Sequence, residues 1–493
     1  MSVSGDTLRA PLGNGRSWLG PLGWLVSGLL ALAAGFAATF VATHMTSSTG
    51  AQPLILVALF VAPLLALAII VNPLIAVLTI LATFPIGSVA QGIGPLRIQA
   101  VEAAVFVAAI VVVLRRLATG RIPLPFAAPL GWAVALFIWT LLSVYSAIDH
   151  TLALKVLFSL LGGIVCATVV LAGCRDMHDL RTLLGGFVTA GVAIGVITFS
   201  ETKGLSGVST EFGGAEIVSG RLEGAFDSPN QLGSLCALMV PVCTGLIFGA
   251  RTIRWRVTAG VAVVILLATL MLSLSRGAWI GAAVGLLFML IKLREARRLL
   301  VVLAIPLVVI GFFVWSLTPT ATDVKVVGER AKAITVLSPY DDRRVIYREA
   351  YREIRENPLF GVGPGGFPVA STLVVSESAT LSYAHAHNLY LNWAAEVGLP
   401  SVVLILCFAF SLALAANTAS RAARVRGDPQ DRAIVIGLSA ALITVLVQGF
   451  FDYVIPNPVV WTAMWILIGS LLVARREALK TLQPDRFADR LSD

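Results

Sequence analysis

The chain of 493 residues is 57% hydrophobic and 13% charged, with a mean hydropathy of +0.89. These proportions exclude a soluble globular protein and a disordered one, and leave an integral membrane protein with many spans. The formal net charge of +9 reads as anchoring on anionic lipid, because no basic patch interleaved with aromatics points to nucleic acid.

Apolar runs of membrane length fall near 20–42, 53–71, 73–90, 100–114, 129–147, 152–173, 183–200, 232–250, 257–275, 277–291, 299–317, 399–416, 433–451 and 456–474. The fold class is therefore an all-α polytopic helical bundle of about 12 to 14 transmembrane helices, the lower number applying if two short runs form a re-entrant pair. The first run is too long for a signal-peptide core and lacks a small-residue cleavage site, so it is expected to stay as a span. Five cysteines lie in or beside apolar runs, which suggests neither disulfides nor a thiolate metal site.

Positive charge sets the orientation. With the N-terminus inside, most cations fall on inner segments, including Arg115, Arg116, Arg175, Arg251, Lys292, Arg426 and Arg476. Outside one long loop, the outer cations are only Arg97, Lys155, Lys203, Arg221 and Arg276. The expected organisation is a cytoplasmic tail at 1–19, an N-terminal bundle at 20–317, an extracytoplasmic segment at 318–398, a C-terminal set of spans at 399–474 and a second cytoplasmic tail at 475–493.

In chain order, the first candidate is Arg221 in "GRLEGAFDSPNQLGSL", an outer-loop cation that is either solvated or anion-binding. Ser228 and Pro229 in the same stretch read as an N-cap and first helical residue. Next comes "SLSRGAWIG", where Arg276 alone breaks a long apolar run. An arginine at membrane depth costs roughly 2.5–3.5 kcal/mol on insertion scales. It is read either as a snorkelling turn residue or as an anion clamp, since its fork matches phosphate oxygens.

The long loop contains "SPYDDRRVIYREAYREIRENPLFGVGPGGF". Ser338, Pro339 and Asp341 give a helix start, and Pro358 a stop. Ile346, Ala350 and Ile354 form one apolar face, with Arg343, Arg344, Arg348, Arg352 and Arg355 around it. That pattern predicts a helix lying on the membrane surface, with Arg343 a substrate-binding candidate. "GVGPGG" lacks the Lys-Ser/Thr of a phosphate loop and reads as a tight turn.

The last stretch is "AHAHNLYLNWAAEVGLP". Helical spacing would put His385, Asn388, Asn392 and Glu396 on one polar stripe, with Tyr390 one turn from His387, and would set the two histidines about 200° apart; His385, Asn388, Tyr390 and Glu396 are thereby candidate substrate contacts. Gly398 and Pro400 should break the helix before the next span. A histidine beside a carboxylate or amide suits proton abstraction from a hydroxyl near neutral pH. A zinc pair is the competing reading, but no third outer histidine supports it, so no metal or other cofactor is expected.

In this order and at these membrane positions, "SLSRGAWIG", the "RRVIYREAYREIRENPLFGVGPGGF" segment and "HAHNLYLNWAAEVGLP" resemble the O-antigen ligase and polymerase superfamily. The resemblance covers the chain from Arg221 on. The family pattern of His, Asn, nine residues, Gly, two residues, Gly maps onto His387, Asn388 and Gly398, with Ser401 in place of the last glycine. It implies a GT-C-like fold in a bacterial inner membrane. It also implies metal-free transfer of a glycan from a polyprenyl diphosphate carrier to an acceptor hydroxyl, borne by a glycan or a lipid-linked molecule, at the periplasmic face. By the same resemblance His387 is the base, and Arg221 and Arg276 hold the diphosphate; Asn388 or Glu396 is placed to orient the histidine. A lipid-linked-saccharide flippase is the alternative, but it would show internal repeats and has little use for an ordered outer loop. A metal-dependent oligosaccharyltransferase would need acidic ligands that "THMTSSTGAQ" lacks. Ligase and polymerase share the donor chemistry, and these motifs do not separate them.

Overall fold

The computed structural model describes residues 72–85, 98–118, 127–201, 211–212, 215–216, 226, 228–293, 343–371, 373–376, 379–381, 385–453 and 457–482. The predicted runs at 20–42, 53–71 and 299–317, Arg221, and the helix start at Ser338 to Asp341 lie outside these residues. The helices are α1 (Leu74–Ala82), α2 (Ala100–Ala118), α3 (Ala128–Ser143), α4 (His150–Gly173), α5 (Met177–Glu201), α6 (Pro229–Gly249), α7 (Ile253–Leu272) and α8 (Arg276–Lys292). They continue with α9 (Arg343–Glu356), the single turn α10 (Phe367–Ala370), α11 (Leu389–Val397), α12 (Leu399–Val425), α13 (Pro429–Gln448) and α14 (Pro458–Leu482). Two small antiparallel hairpins pair Glu211–Phe212 with Ala215–Glu216 and Leu373–Ser376 with Ala379–Leu381.

Among the described residues, eight helices are long and apolar enough to cross a membrane: α3 with its 3-10 extension to Ser146, α4, α5, α6, α7, α12, α13 and α14. The protein is a polytopic helical membrane protein. The helix in the predicted 73–90 run ends at Ala82, because Pro85 disfavours helical geometry at the residue before it.

Helix starts follow the capping chemistry of the sequence. Ser228 accepts from the Gln231 amide before Pro229, as its spacing predicts. Asp149, Asp428 and Asn457 cap α4, α13 and α14 in the same way; each such cap contributes about 1 kcal/mol. α6 and α14 are the innermost helices, and α12 is the most peripheral of the spans. α6 crosses α13 where Gly245 meets Gly437: a Cβ on Gly245 would lie 3.0 Å from the Gly437 Cα. Small residues allow the close backbone approach that holds helices together where no water drives them.

One end of the bundle gathers the segments that charge counting groups on the inner side. Arg181 and Arg426 both pair with Asp431, and Arg251 lies 3.8 Å from Asp428. Arg476 donates to the carbonyls of Leu171, Cys174 and Arg175 at the end of α4, neutralising the negative pole of that helix. His385 and His387 lie at the opposite end, beside the turn after α13.

Candidate functional site

The predicted helix through His385 is not what forms. Asn388 is an N-cap: its Oδ1 accepts from the Tyr390 and Leu391 amides at 3.0 Å, so α11 starts at Leu389 and both histidines precede it. Asn388 Nδ2 donates to the Phe450 carbonyl, and the Leu389 amide donates to Gly449 O at 2.6 Å. The histidine segment is thereby joined to the turn after α13. Asn388 is a brace between α11 and the turn after α13, and this corrects its assignment as an orienting partner of the histidine.

The residue that faces the histidines is Asp452, in that same turn. His387 Nδ1 lies 3.1 Å from Asp452 Oδ1, and His385 Nε2 lies 3.6 Å from the same oxygen. The two rings, expected on opposite sides of a helix, approach with centroids 4.3 Å apart. Their convergence follows from the non-helical chain: His387 has φ +47°, a left-handed conformation that costs a residue with a Cβ roughly 1–2 kcal/mol. Strain of this kind persists where the surroundings over-determine it, and it clusters at functional sites.

Burial raises the Asp452 carboxyl, but the hydrogen bonds and charges of His385 and His387 outweigh it and hold the group well below the usual carboxylate range. An ionised carboxylate only accepts, so Nδ1 of His387 carries the hydrogen and Nε2 is left as the basic nitrogen. Asp452 Oδ1 also accepts from the Tyr453 amide at 2.8 Å. The nitrogens of the two histidines and the Asp452 oxygen lie within 4.8 Å of one another, so the cluster has the donors of a three-ligand metal site. The third ligand missing from the sequence reading is a carboxylate rather than a histidine.

Glu396 does something other than orient His387. Its two oxygens accept from the amides of Gly365 and Phe367 at 3.0 and 3.4 Å, tying α11 to the glycine-rich turn. Burial pushes its carboxyl from the ordinary range up to about 7, against the lowering effect of those two amides and of Asn392. The turn itself is the tight turn expected, with positive φ at Gly361, Gly363 and Gly365. It is docked by Val362 N to Ala395 O at 2.9 Å and by Trp139 stacked on Phe360.

Tyr390, read as a substrate contact, donates its hydroxyl to the Leu446 carbonyl at 2.8 Å and serves packing. Gly398 ends α11 with φ +87°, and a Cβ there would fall 1.9 Å from Leu359 O; only glycine fits. Ser401, where the family pattern has glycine, is buried and bonds the carbonyls of Gly398 and Trp393.

The amphipathic helix α9 is formed as predicted, but its apolar face is covered by protein. Ile346 and Ala350 pack with Phe367, Ala395 and Ala386, the residue between the two histidines. A membrane-surface placement is corrected: α9 is a buttress behind the histidine segment. Arg352 pairs with Glu349 and Glu353, while Arg344, Arg348 and Arg355 are exposed. Arg343 opens the helix.

Arg276 is the first residue of α8, after a break at Leu274 with φ +52°. Its neighbour Gly277 sits against Phe451, where a Cβ would come within 2.7 Å of the Phe451 Cβ. The start of α8 is therefore packed on the residue before Asp452, at the histidine end of the bundle. Arg221 lies outside the described residues.

Fold and site together define a many-spanning helical membrane protein with an imidazole–carboxylate cluster at one end. Residues 261–406 match the family model described as O-antigen ligase, which supports placing the chain in the O-antigen ligase and polymerase superfamily. The matched segment runs from α7 through Arg276, α9 and both histidines into α12. No curated protein matches the chain.

Proposed function

We propose that this protein is a glycosyltransferase of a bacterial inner membrane that moves a glycan from a polyprenyl diphosphate carrier to an acceptor hydroxyl at the periplasmic face. The observation that carries this reading is the 3.1 Å contact of His387 Nδ1 with Asp452 Oδ1; His387 lies within the segment matched by the family, and Asp452 lies beyond its end. Asp452 fixes the ring and stabilises its protonated form, and Nε2 of His387 takes the acceptor proton as the hydroxyl attacks the anomeric carbon. The carbon–oxygen bond to the diphosphate breaks as the new glycosidic bond forms, so a single displacement inverts that centre. Arg276, with Arg221, neutralises the departing diphosphate. A GT-C-like arrangement of about 12 to 14 spans, with both tails cytoplasmic, fits this reading, and the donor, the acceptor and membrane lipid are its partners.

The reaction is proposed to proceed without a metal, because Asp452 Oδ1 is already an acceptor for the Tyr453 amide as well as for His387. A second reading makes the His385, His387 and Asp452 cluster a divalent-metal site that activates the same hydroxyl. Transfer from a purified lipid-linked donor in excess EDTA decides between them: full activity supports the acid–base pair, and loss reversed by zinc supports the metal. Asp452→Asn should abolish transfer on either reading; an active Asp452→Asn protein would remove the cluster from the chemistry.

A further inference from the structure

A groove of about 390 Å³ runs between α12, α13 and α14, within the ~300–1,000 Å³ range of ligand sites. On α12 its wall recurs every three or four residues from Ile405 to Arg424, about 28 Å of helix. It starts beneath Leu389 and Trp393 of α11 and is almost wholly apolar along its length. At the far end, the arginine-rich end of the bundle, the wall changes to Asn417, Ser420, Arg424, Arg432 and Lys292.

The three cations at that end have no acidic neighbour in the lining, and none of them forms an ion pair among the described residues. Arg432 donates to the Lys292 carbonyl at 3.0 Å, which ties its guanidinium to the end of α8, while its Nε is buried without a hydrogen-bond partner. Lys292 Nζ stands 5.9 Å from the Phe288 ring, another residue of the wall. The other charges of this end, such as Arg181, Arg426 and Asp431, are paired with one another. Three positive charges with no ion pair among the described residues, at the end of an apolar slot about 28 Å long, are complementary to one kind of occupant.

We infer that the groove is a binding site for an anionic phospholipid of the leaflet at the arginine-rich end, with its phosphate held by Lys292, Arg424 and Arg432 and an acyl chain lying along α12. A carrier lipid whose diphosphate sits at the histidine end would have no use for these cations. The chain would fill the space between α12 and α13 and support the underside of α11, which follows the histidine segment. The site is independent of the transfer reading, and it is tested without donor or acceptor.

The full-length protein, purified in non-ionic detergent and depleted of native lipid, would be unfolded thermally with phosphatidylglycerol, with phosphatidylcholine of the same chains, or with glycerol 3-phosphate. Phosphatidylglycerol should raise the midpoint saturably and more than phosphatidylcholine, and glycerol 3-phosphate should have no effect. Replacing both exposed cations, Lys292→Gln with Arg424→Gln, should weaken the phosphatidylglycerol response about tenfold or more, as expected for two cations at a lipid surface. Ala416→Phe should reduce it by occupying the slot, and His387→Ala should respond as the parent does. Equal responses to the two phospholipids, an undiminished response in the double variant, or a glycerol 3-phosphate response as large would overturn the inference. So would a stronger response to polyprenyl phosphate that ignores the two cations, which would assign the slot to an isoprenoid chain.

Discussion

The two ends of the helical bundle use charge in opposite ways. At the arginine-rich end, Arg181, Arg426 and Asp431 satisfy one another and Arg476 closes three carbonyls, in connections with no positive φ outside Gly427 among the described residues. At the histidine end one carboxylate serves two imidazoles on a left-handed backbone, and a buried glutamate is held up to about 7. The first arrangement closes loops. The second keeps a charged, strained cluster in place with the support of α9, α11 and the glycine-rich turn, which is what chemistry requires and stability alone does not.

If that contrast is functional, damage at the two ends should separate activity from stability. Asp452→Asn should lower transfer by the ~10²–10⁴-fold typical of a lost acid–base function, with a thermal midpoint close to that of the parent. Arg276→Ala should also lose transfer, and Arg276→Lys should recover only part, because an ammonium lacks the bidentate fork. His385→Ala is expected to cost less than either, since its nitrogen is 3.6 Å from Asp452, a weaker contact than the 3.1 Å of His387. Rates measured on one purified donor preparation rank all of these.

Arg181→Ala should show the opposite profile. Removing one partner of a buried pair costs about 3–5 kcal/mol, reduced here because Arg426 still faces Asp431, while the rate per folded molecule stays near that of the parent. A large loss of rate without a change in the midpoint would erase the distinction between the ends.

How much of this was legible in the sequence depends on the range of each contact. Among the described residues, the positions of most spans, the Ser228 cap and the break at Gly398 are local signals, and they appear where the sequence puts them. Asp452 is 65 residues from His387 and sits at the end of an apolar run, "QGFFDYVIP", where it reads as an interfacial acid. The polar stripe does not form because Asn388 caps the helix instead of lying within it. Asparagine is a favoured N-cap, and that reading would have moved the helix start to Leu389 and freed the histidines to converge. The partners of Glu396 are backbone amides of a turn that no side-chain pattern reveals. The amphipathic face of α9 showed that it packs on something apolar, but not that the partner is α11 rather than lipid.

The smallest expected effect concerns Glu396 and pH. Its native value, about 7, lies above the ordinary 4.5, so the native state holds the extra proton between these values and stability falls as pH rises through that window. Glu396→Gln should flatten that part of the profile and keep most activity, because an amide oxygen still accepts one of the two backbone amides. Thermal midpoints across the window check the sign, and a midpoint that rises with pH there in the parent alone would refute it.

The central claim is that His387 acts on the acceptor while the diphosphate is held elsewhere. Its most direct test is to compare donor binding and single-turnover transfer in His387→Ala. Donor affinity should stay within a few-fold of the parent while transfer falls by ~10²-fold or more. Transfer at the parental rate, or transfer lost only in proportion to donor binding, would contradict it.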